Sequence, residues 1–455
     1  MKRLVFCFDG TWNRLDAAFP TNVVITAESV LPLAADNTAQ LIYYDEGVGT
    51  GRWDRIRGGM FGAGLMQNLA NAYRFLIFNY TPGDEIYVFG FSRGAYTARS
   101  FCGLIAVCGV LLRKFASKVE EAIESYKQRD DTPAFAEKMM RFRNERSPQI
   151  CVAAKEDEWR TENAQNYVSG SAPRLRIRYL GVWDTVGALG IPSRFVWSSL
   201  IDDKYKFHDT RLSSMVESAR HAVAIDERRK DFAPTLWDNL SALNAEAGTP
   251  VDADDARYQQ KWFPGVHSAV GGGGERRGLS DAALDWVLDG ARHMGLALDA
   301  SQYSRIFELA PNYAEFIENS KKRGIMYQVM NKLAAADRSP GPSMLFEVSM
   351  SARRRWLEVA ENLNDKVLYR PPTLAHVSDA LGALDPAKLG VGVGKQGPAG
   401  RFELYEVQRG DTLSALARRF YGDANAWTRI FAANLSKLED PDRVYVGQQL
   451  RIPQD

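Results

Sequence analysis

The sequence predicts an α/β protein: a doubly wound, mostly parallel sheet with helical insertions, followed by a small α+β module. Three observations predict it. Short apolar runs alternate with helix-patterned segments through the first third of the chain, as strands joined by crossover helices do. One junction, "DEIYVFGFSRGAYTARSFCGLIAVCGVLL" (Asp84–Leu112), sets a serine between two glycines at a strand-to-helix turn. Near the C-terminus, Ala383–Gly400 ("ALDPAKLGVGVGKQGPAG") is rich in Gly, Pro and Ala and cuts off a short tail.

Along the chain, Lys2–Phe8, Leu41–Tyr44 and Glu85–Phe91 read as strands. Gly62–Asn79 has helical spacing with one apolar face, and Gly94–Leu112 reads as a largely buried helix. Lys114–Asn144 is charged and helix-rich and interrupts the strand rhythm as an insertion. Arg174–Trp183 restores a strand. Helical patterns then run to "YRPPTL" (Tyr369–Leu374), with a short strand candidate at Gln260–Phe263. The expected division is a domain over 1–380, a flexible linker over 381–402 and a module over 403–455.

Composition sets the classes to exclude. With 57 basic against 56 acidic residues, the net charge of +1 provides no global field for nucleic acid. Cys7, Cys102, Cys108 and Cys151 have no CxxC spacing, so buried free thiols are expected and no metal site. "GVGTG" (Gly47–Gly51) lacks the lysine of a phosphate loop. No cofactor is expected. The apolar run after Met1 is too short for a signal peptide, and no stretch reaches membrane-spanning length. The expectation is cytoplasmic synthesis, with any work in a target cell's periplasm or envelope needing a specialised secretion route.

The serine is Ser92. A nucleophile elbow needs a strand, a tight turn that strains the serine, and a helix whose N-terminus faces a developing oxyanion. Asp84–Leu112 supplies all three, with Gly90 and Gly94 removing side chains at the turn. The plainer alternative is a glycine-pinched loop with a capping serine. A serine at neutral pH also needs a base, and the base an orienting acid. Asp184 ends the strand "RYLGVWD". His267 in "KWFPGVHSAVGGGG" follows a strand candidate and precedes four glycines. His221 and His293 lie in helical patterns, and neither His208 nor His376 follows a strand. Ser92, Asp184 and His267 are therefore the candidate triad, in the hydrolase chain order. The Arg93 N–H is one expected oxyanion donor, and Gly10 or Thr11 of "FDGTWN" the second. Asp9 can serve by organising that turn.

These residues resemble an α/β-hydrolase family that includes the type VI secretion phospholipase effectors of the first class. The matching pieces are "FDGTWN" (Phe8–Asn13), "PTNV" (Pro20–Val23), "YYDEGVGTG" (Tyr43–Gly51) and "GDEIYVFGFSRGAYTARS" (Gly83–Ser100). They continue through "YLGVWDTVGALG" (Tyr179–Gly190), "HAVAIDERRKDFAPTLW" (His221–Trp237), "GVHSAVGGG" (Gly265–Gly273) and "LSDAALDWVL" (Leu279–Leu288). Carried over by position, the resemblance assigns the same Ser92, Asp184 and His267. It implies an ester hydrolase with phospholipid as the substrate class, a secretion-apparatus adaptor and an immunity protein. Ala269 stands where the family often has aspartate after the His-Ser pair.

Tyr405–Pro453 resembles a complete LysM module, which implies a β-α-α-β fold and binding of peptidoglycan or another N-acetylglucosamine glycan through 403–455. A protein-adaptor role is the alternative there. For the whole chain the alternatives are a small-ester or acyl-glycan esterase at the wall, and a binding protein on an inactive hydrolase scaffold. Phe195 and Trp197, in "IPSRFVWSSLI" (Ile191–Ile201), are expected with Lys114–Asn144 at the substrate mouth, where an apolar rim eases lipid transfer.

Overall fold

Strands β1 (Lys2–Phe8), β2 (Ala39–Asp45), β3 (Glu85–Phe91), β4 (Ile177–Trp183), β5 (Ala219–Ala224) and β6 (Tyr258–Phe263) form one sheet in the order β2-β1-β3-β4-β5-β6. The structure is a computed structural model. It describes residues 1–10, 15–47, 60–187, 210–301, 303–319, 336–391, 402–434, 438, 441–442 and 444–454. β1 pairs in parallel with β2 and β3, and β3 with β4. Connections between them run through helices, as parallel pairing requires. In chain order the helices are α1 (Asn22–Ser29), α2 (Met60–Asn79), α3 (Arg93–Cys108), α4 (Val119–Lys127), α5 (Pro133–Arg146) and α6 (Ala154–Asn163). After these come α7 (Leu240–Glu246), α8 (His267–Gly271) and α9 (Gly278–His293). No single helix among the described residues is long and apolar enough to cross a membrane.

The chain divides into two compact units. The first comprises Met1–Leu15, Val30–Ala219 and Thr235–Tyr258. Its inner strands β1, β3 and β4 are buried on both faces, as helices covering a parallel sheet require, whereas the edge strand β2 is largely exposed. Phe6 packs on Phe101 with ring centroids 4.6 Å apart and meets Phe75 edge-on at 5.7 Å, joining β1 to α3 and α2. The insertion belongs to this core. Val119, Ala122, Tyr126 and Met139 are buried in it. Two of its polar contacts reach the C-terminal end of α3: the Arg143 guanidinium donates to Val107 O (2.6 Å) and Ser147 Oγ to Val110 O (2.6 Å). A 16-residue helix is about 24 Å long. These two bonds sit at the end of α3 away from Ser92. Phe195 and Trp197 lie outside the described residues.

The second unit comprises Asp16–Ser29, Arg220–Pro234 and Gln259–Asp455. The sequence reading assigned no element to Asn22–Ser29 and a helix around His221. Asn22–Ser29 ("NVVITAES") is helical despite its β-branched residues, because Asn22 Nδ2 is tied to Val270 O (2.9 Å) and Ser280 O (3.3 Å). Ala219–Ala224 is a fully buried strand, where a helix was expected. His221 thus points from a strand, its Nδ1 2.9 Å from Gln260 Oε1.

The tail folds as β7 (Phe402–Glu406), helices Leu413–Tyr421 and Trp427–Ala433, and β8 (Gln449–Pro453), with β7 and β8 antiparallel. Thr412 caps the first helix through Ala415 N–H, and Gly422 ends it in the left-handed region. Leu413, Leu416, Ile430, Phe431 and Leu450 fill its core. This module does not stand apart from the rest of its unit. Phe402 stacks on Phe307 at 4.3 Å, and Arg451 donates to Leu309 O at 2.8 Å. Arg354, buried on the helix Met350–Leu357, donates to Leu389 O (2.7 Å) and Leu438 O (3.1 Å). The expected linker is thus anchored as far as Leu389; residues 392–401 lie outside the described residues.

Candidate active site

Ser92 is the one residue between β3 and α3, and its backbone sits at φ 60°, ψ −124°. A non-glycine residue there stores about 1–3 kcal/mol of strain. The flanking glycines are sterically required. A Cβ on Gly90 would lie 2.6 Å from Gly94 O, and one on Gly94 would overlap Phe8 O and Asp9 O. The Ser92 side chain makes no capping hydrogen bond to α3. The capping alternative is therefore not what holds this serine at the turn.

Asp184 follows β4 directly and also has positive φ, 39°. It is fully buried. The Ser92 N–H donates to Trp183 O (3.0 Å), so the serine turn and the acid turn are bonded neighbours. The acid turn is tied onward: Thr235 N–H donates to Thr185 O (2.8 Å), and Arg99 from α3 donates to Thr235 O (2.6 Å).

The loop after β1 lies against the same elbow, as the overlap at Gly94 requires. Asp9 organises it. Gly10 N–H donates to Asp9 Oδ1 (2.6 Å) and Tyr44 OH to Asp9 Oδ2 (3.0 Å). Gly10 would have to release that carboxylate to serve an oxyanion, and Thr11 lies outside the described residues. Arg93 opens α3, where first-turn amides aim out of the helix end. Burial pulls its guanidinium down to about 10.

His267 belongs to the second unit. It opens α8, just past β6, and is buried. Its backbone N–H donates to Glu227 Oε2 (3.2 Å), and the Phe232 ring meets the imidazole edge-on at 4.8 Å. The next residue is fixed too: Ser268 Oγ donates to Asn319 Oδ1 (2.8 Å), whose amide returns a bond to Ser268 O (2.7 Å). Burial raises the Asp226 carboxyl, which accepts from Gly265 N–H (2.6 Å) and Tyr369 OH (2.8 Å). Burial also pushes Glu227 upward, but Arg229 and the nearby imidazole outweigh it and leave Glu227 below its ordinary value. Asp226, Glu227 and Phe232 were missed as site residues. Their motif was visible, but it was read as part of a helix. Of the other histidines, His293 Nδ1 lies 2.8 Å from Asp289 O, His376 is in a short 3-10 turn, and His208 lies outside the described residues.

The sequence model of the type VI secretion Tle1-like phospholipase effectors, catalytic domain, matches residues 2–290. The chain belongs to this family. A LysM domain model matches residues 405–453. Among curated relatives of this Tle1-like chain, an uncharacterized protein of Saccharomyces cerevisiae, YEL023C, is 29% identical over 248 residues, 51% of this chain and 32% of its own length. Esterase Rv1288 of Mycobacterium tuberculosis is 48% identical over 89 residues, 20% of this chain and 18% of that protein. The Tle1-like chain thus spans a third or less of these relatives. A solved structure of an uncharacterized Pseudomonas aeruginosa protein aligns over 98% of this chain and 75% of that one, with 15% identity and a TM-score of 0.36. The Tle1 effector bound to the VgrG spike aligns over 60% and 51%, with 19% identity and a TM-score of 0.30.

Proposed function

We propose that the chain is a serine carboxylic ester hydrolase of the phospholipase A type, with Ser92 as nucleophile, His267 as base and Asp184 as the acid that orients it. The observation that carries this is the Ser92 backbone. A strained, non-capping serine at a glycine-pinched strand–helix turn, bonded to the turn that bears a buried aspartate, is costly, and that cost is what a nucleophile elbow carries. Ser92 Oγ attacks the ester carbonyl while His267 takes its proton. The resulting oxyanion is met by the Arg93 N–H and by a donor from the Gly10–Thr11 loop. Collapse expels the lysophospholipid alkoxide, which takes the proton from His267. Water, deprotonated by His267, then frees the fatty acid from Ser92.

In this reading the LysM domain holds the enzyme at peptidoglycan, and delivery is by a type VI apparatus with a spike adaptor and an immunity partner. The LysM domain also favours a second reading, an esterase for acyl groups on wall glycans. The deciding measurement is fatty-acid release from dipalmitoyl phospholipid vesicles, acylated glycan and short p-nitrophenyl esters. Ser92→Ala and His267→Ala should each cost on the order of 10⁴-fold on the true substrate. Asp184→Asn should retain more. Near wild-type turnover in either of the first two variants sinks the triad, and release from glycan alone sinks the phospholipase reading.

A further inference from the structure

The segment "AIDERRKDF" (Ala224–Phe232) has no part in the chemistry above, yet it wraps the histidine from two sides. Asp226 and Glu227 are the first charged residues beyond β5, and each holds one point of the loop that carries His267. Asp226 exchanges two bonds with Gly265: its N–H donates to Gly265 O (3.1 Å), and its carboxylate accepts from Gly265 N–H (2.6 Å). Glu227 accepts the His267 N–H itself. The remaining acceptor positions of Glu227 are filled by Arg229, through its backbone N–H (2.9 Å), Nε (2.8 Å) and a terminal guanidinium nitrogen (2.7 Å). A bidentate carboxylate–guanidinium pair fixes the plane of the arginine. That plane lies over the Phe232 ring, 3.6 Å from its centroid. Phe232 in turn presents itself edge-on to the His267 imidazole.

The contacts close a circuit. Glu227 fixes the backbone of His267 directly and fixes its ring through Arg229 and Phe232. Glu227 touches both ends of it. We propose that Glu227, acting through Arg229 and Phe232, is a positioning residue that sets the orientation of the His267 ring. This rests on the reading of His267 as the base. The role differs from that of an acid hydrogen-bonded to the imidazole, because the only bond Glu227 makes to His267 here is at the main chain. A base that wanders from its productive angle slows proton transfer without weakening the hold on substrate, so the loss should fall on kcat.

The test compares Glu227→Gln, Phe232→Leu and Phe232→Tyr with wild type, Ser92→Ala and His267→Ala on a soluble p-nitrophenyl ester, with thermal unfolding run alongside. Phe232→Leu keeps apolar bulk but removes the aromatic edge. Its kcat should fall on the order of 10-fold with KM within about twofold. Phe232→Tyr restores the edge and should recover most of that loss. Glu227→Gln keeps an oxygen for the His267 N–H but loses the ion pair, and should match Phe232→Leu. Wild-type kcat in folded Phe232→Leu and Glu227→Gln overturns the inference. So does an equal loss in the Leu and Tyr variants, which still decides the matter if Glu227→Gln fails to fold. If Ser92→Ala and His267→Ala themselves keep turnover, it is the underlying triad that fails.

Discussion

Ser92 carries its Cβ in a backbone conformation that glycine alone adopts without cost, and this gives the site a measurable stability signature. Ser92→Gly relieves about 1–3 kcal/mol of strain and adds about 0.5–1 kcal/mol of unfolded-chain freedom, for a net gain of roughly 1 kcal/mol. Ser92→Ala keeps the strained Cβ and should stay near wild type. In urea unfolding, the order Gly above Ala is the expected result, and Gly below Ala would remove strain from the account. At this scale much was legible in the sequence. Ser92, Asp184 and His267 each follow an apolar run that is a strand, and each type has a distinct chemical use. Glu227 was not legible, because its role depends on a main-chain bond to a residue 40 positions away. Gly10 was legible only as flexible backbone; that its N–H already serves Asp9 is a matter of side-chain rotamer.

Among elements, β1, β3 and α2 followed from periodicity because apolar residues dominate them and turn signals bound them. β5 did not. "ARHAVA" is buried on both faces, so it lacks the alternation that marks a half-exposed strand, and its alanines suit a helix equally well. α1 was not read in the sequence: its β-branched residues suit a strand equally well, and the tertiary bonds of Asn22 hold it as a helix. The insertion Lys114–Asn144 was recognised as helical, and α4 and α5 lie there. Its charge was legible, but not that Arg143 is buried in a cluster with Glu156 and Arg160 of α6. Glu156 accepts from Arg143 Nε (2.9 Å) and from Arg160 (2.5 Å) with almost no exposure. Glu156→Ala would leave two guanidinium groups buried without that carboxylate, at a cost of about 3–5 kcal/mol. Since these helices join the C-terminal end of α3, ester turnover per folded molecule should be unchanged. A lower urea midpoint with normal kcat is expected; lost kcat in the folded fraction would return the insertion to the site.

For the whole molecule, the sequence announced a small module behind a Gly- and Pro-rich segment, and composition argued for a loose tether. What composition could not display is that Phe402, at the module's first strand, finds Phe307, and that Arg451 and Arg354 each donate to a main-chain carbonyl across the join. Docking of this kind rests on side chains such as these four and leaves no trace in the linker. It changes what removal of the module should do. A chain ending at Leu381 takes Leu389 O and Leu438 O away from the buried Arg354 and uncovers Phe307. Each lost bond to a charged group is worth about 1.5–3 kcal/mol, less whatever water recovers at the exposed face. All the proposed catalytic residues remain in the shortened chain. At 20 °C or so it should therefore hydrolyse soluble esters at the wild-type rate and lose capture on purified peptidoglycan. Its unfolding temperature should fall by several degrees, on the order expected for a few kcal/mol in a chain of this size. Phe402→Ala in the full chain should reproduce part of that fall while keeping peptidoglycan capture. An unchanged unfolding temperature in both would mean that the module hangs free after all, with the glycan serving only to concentrate the enzyme.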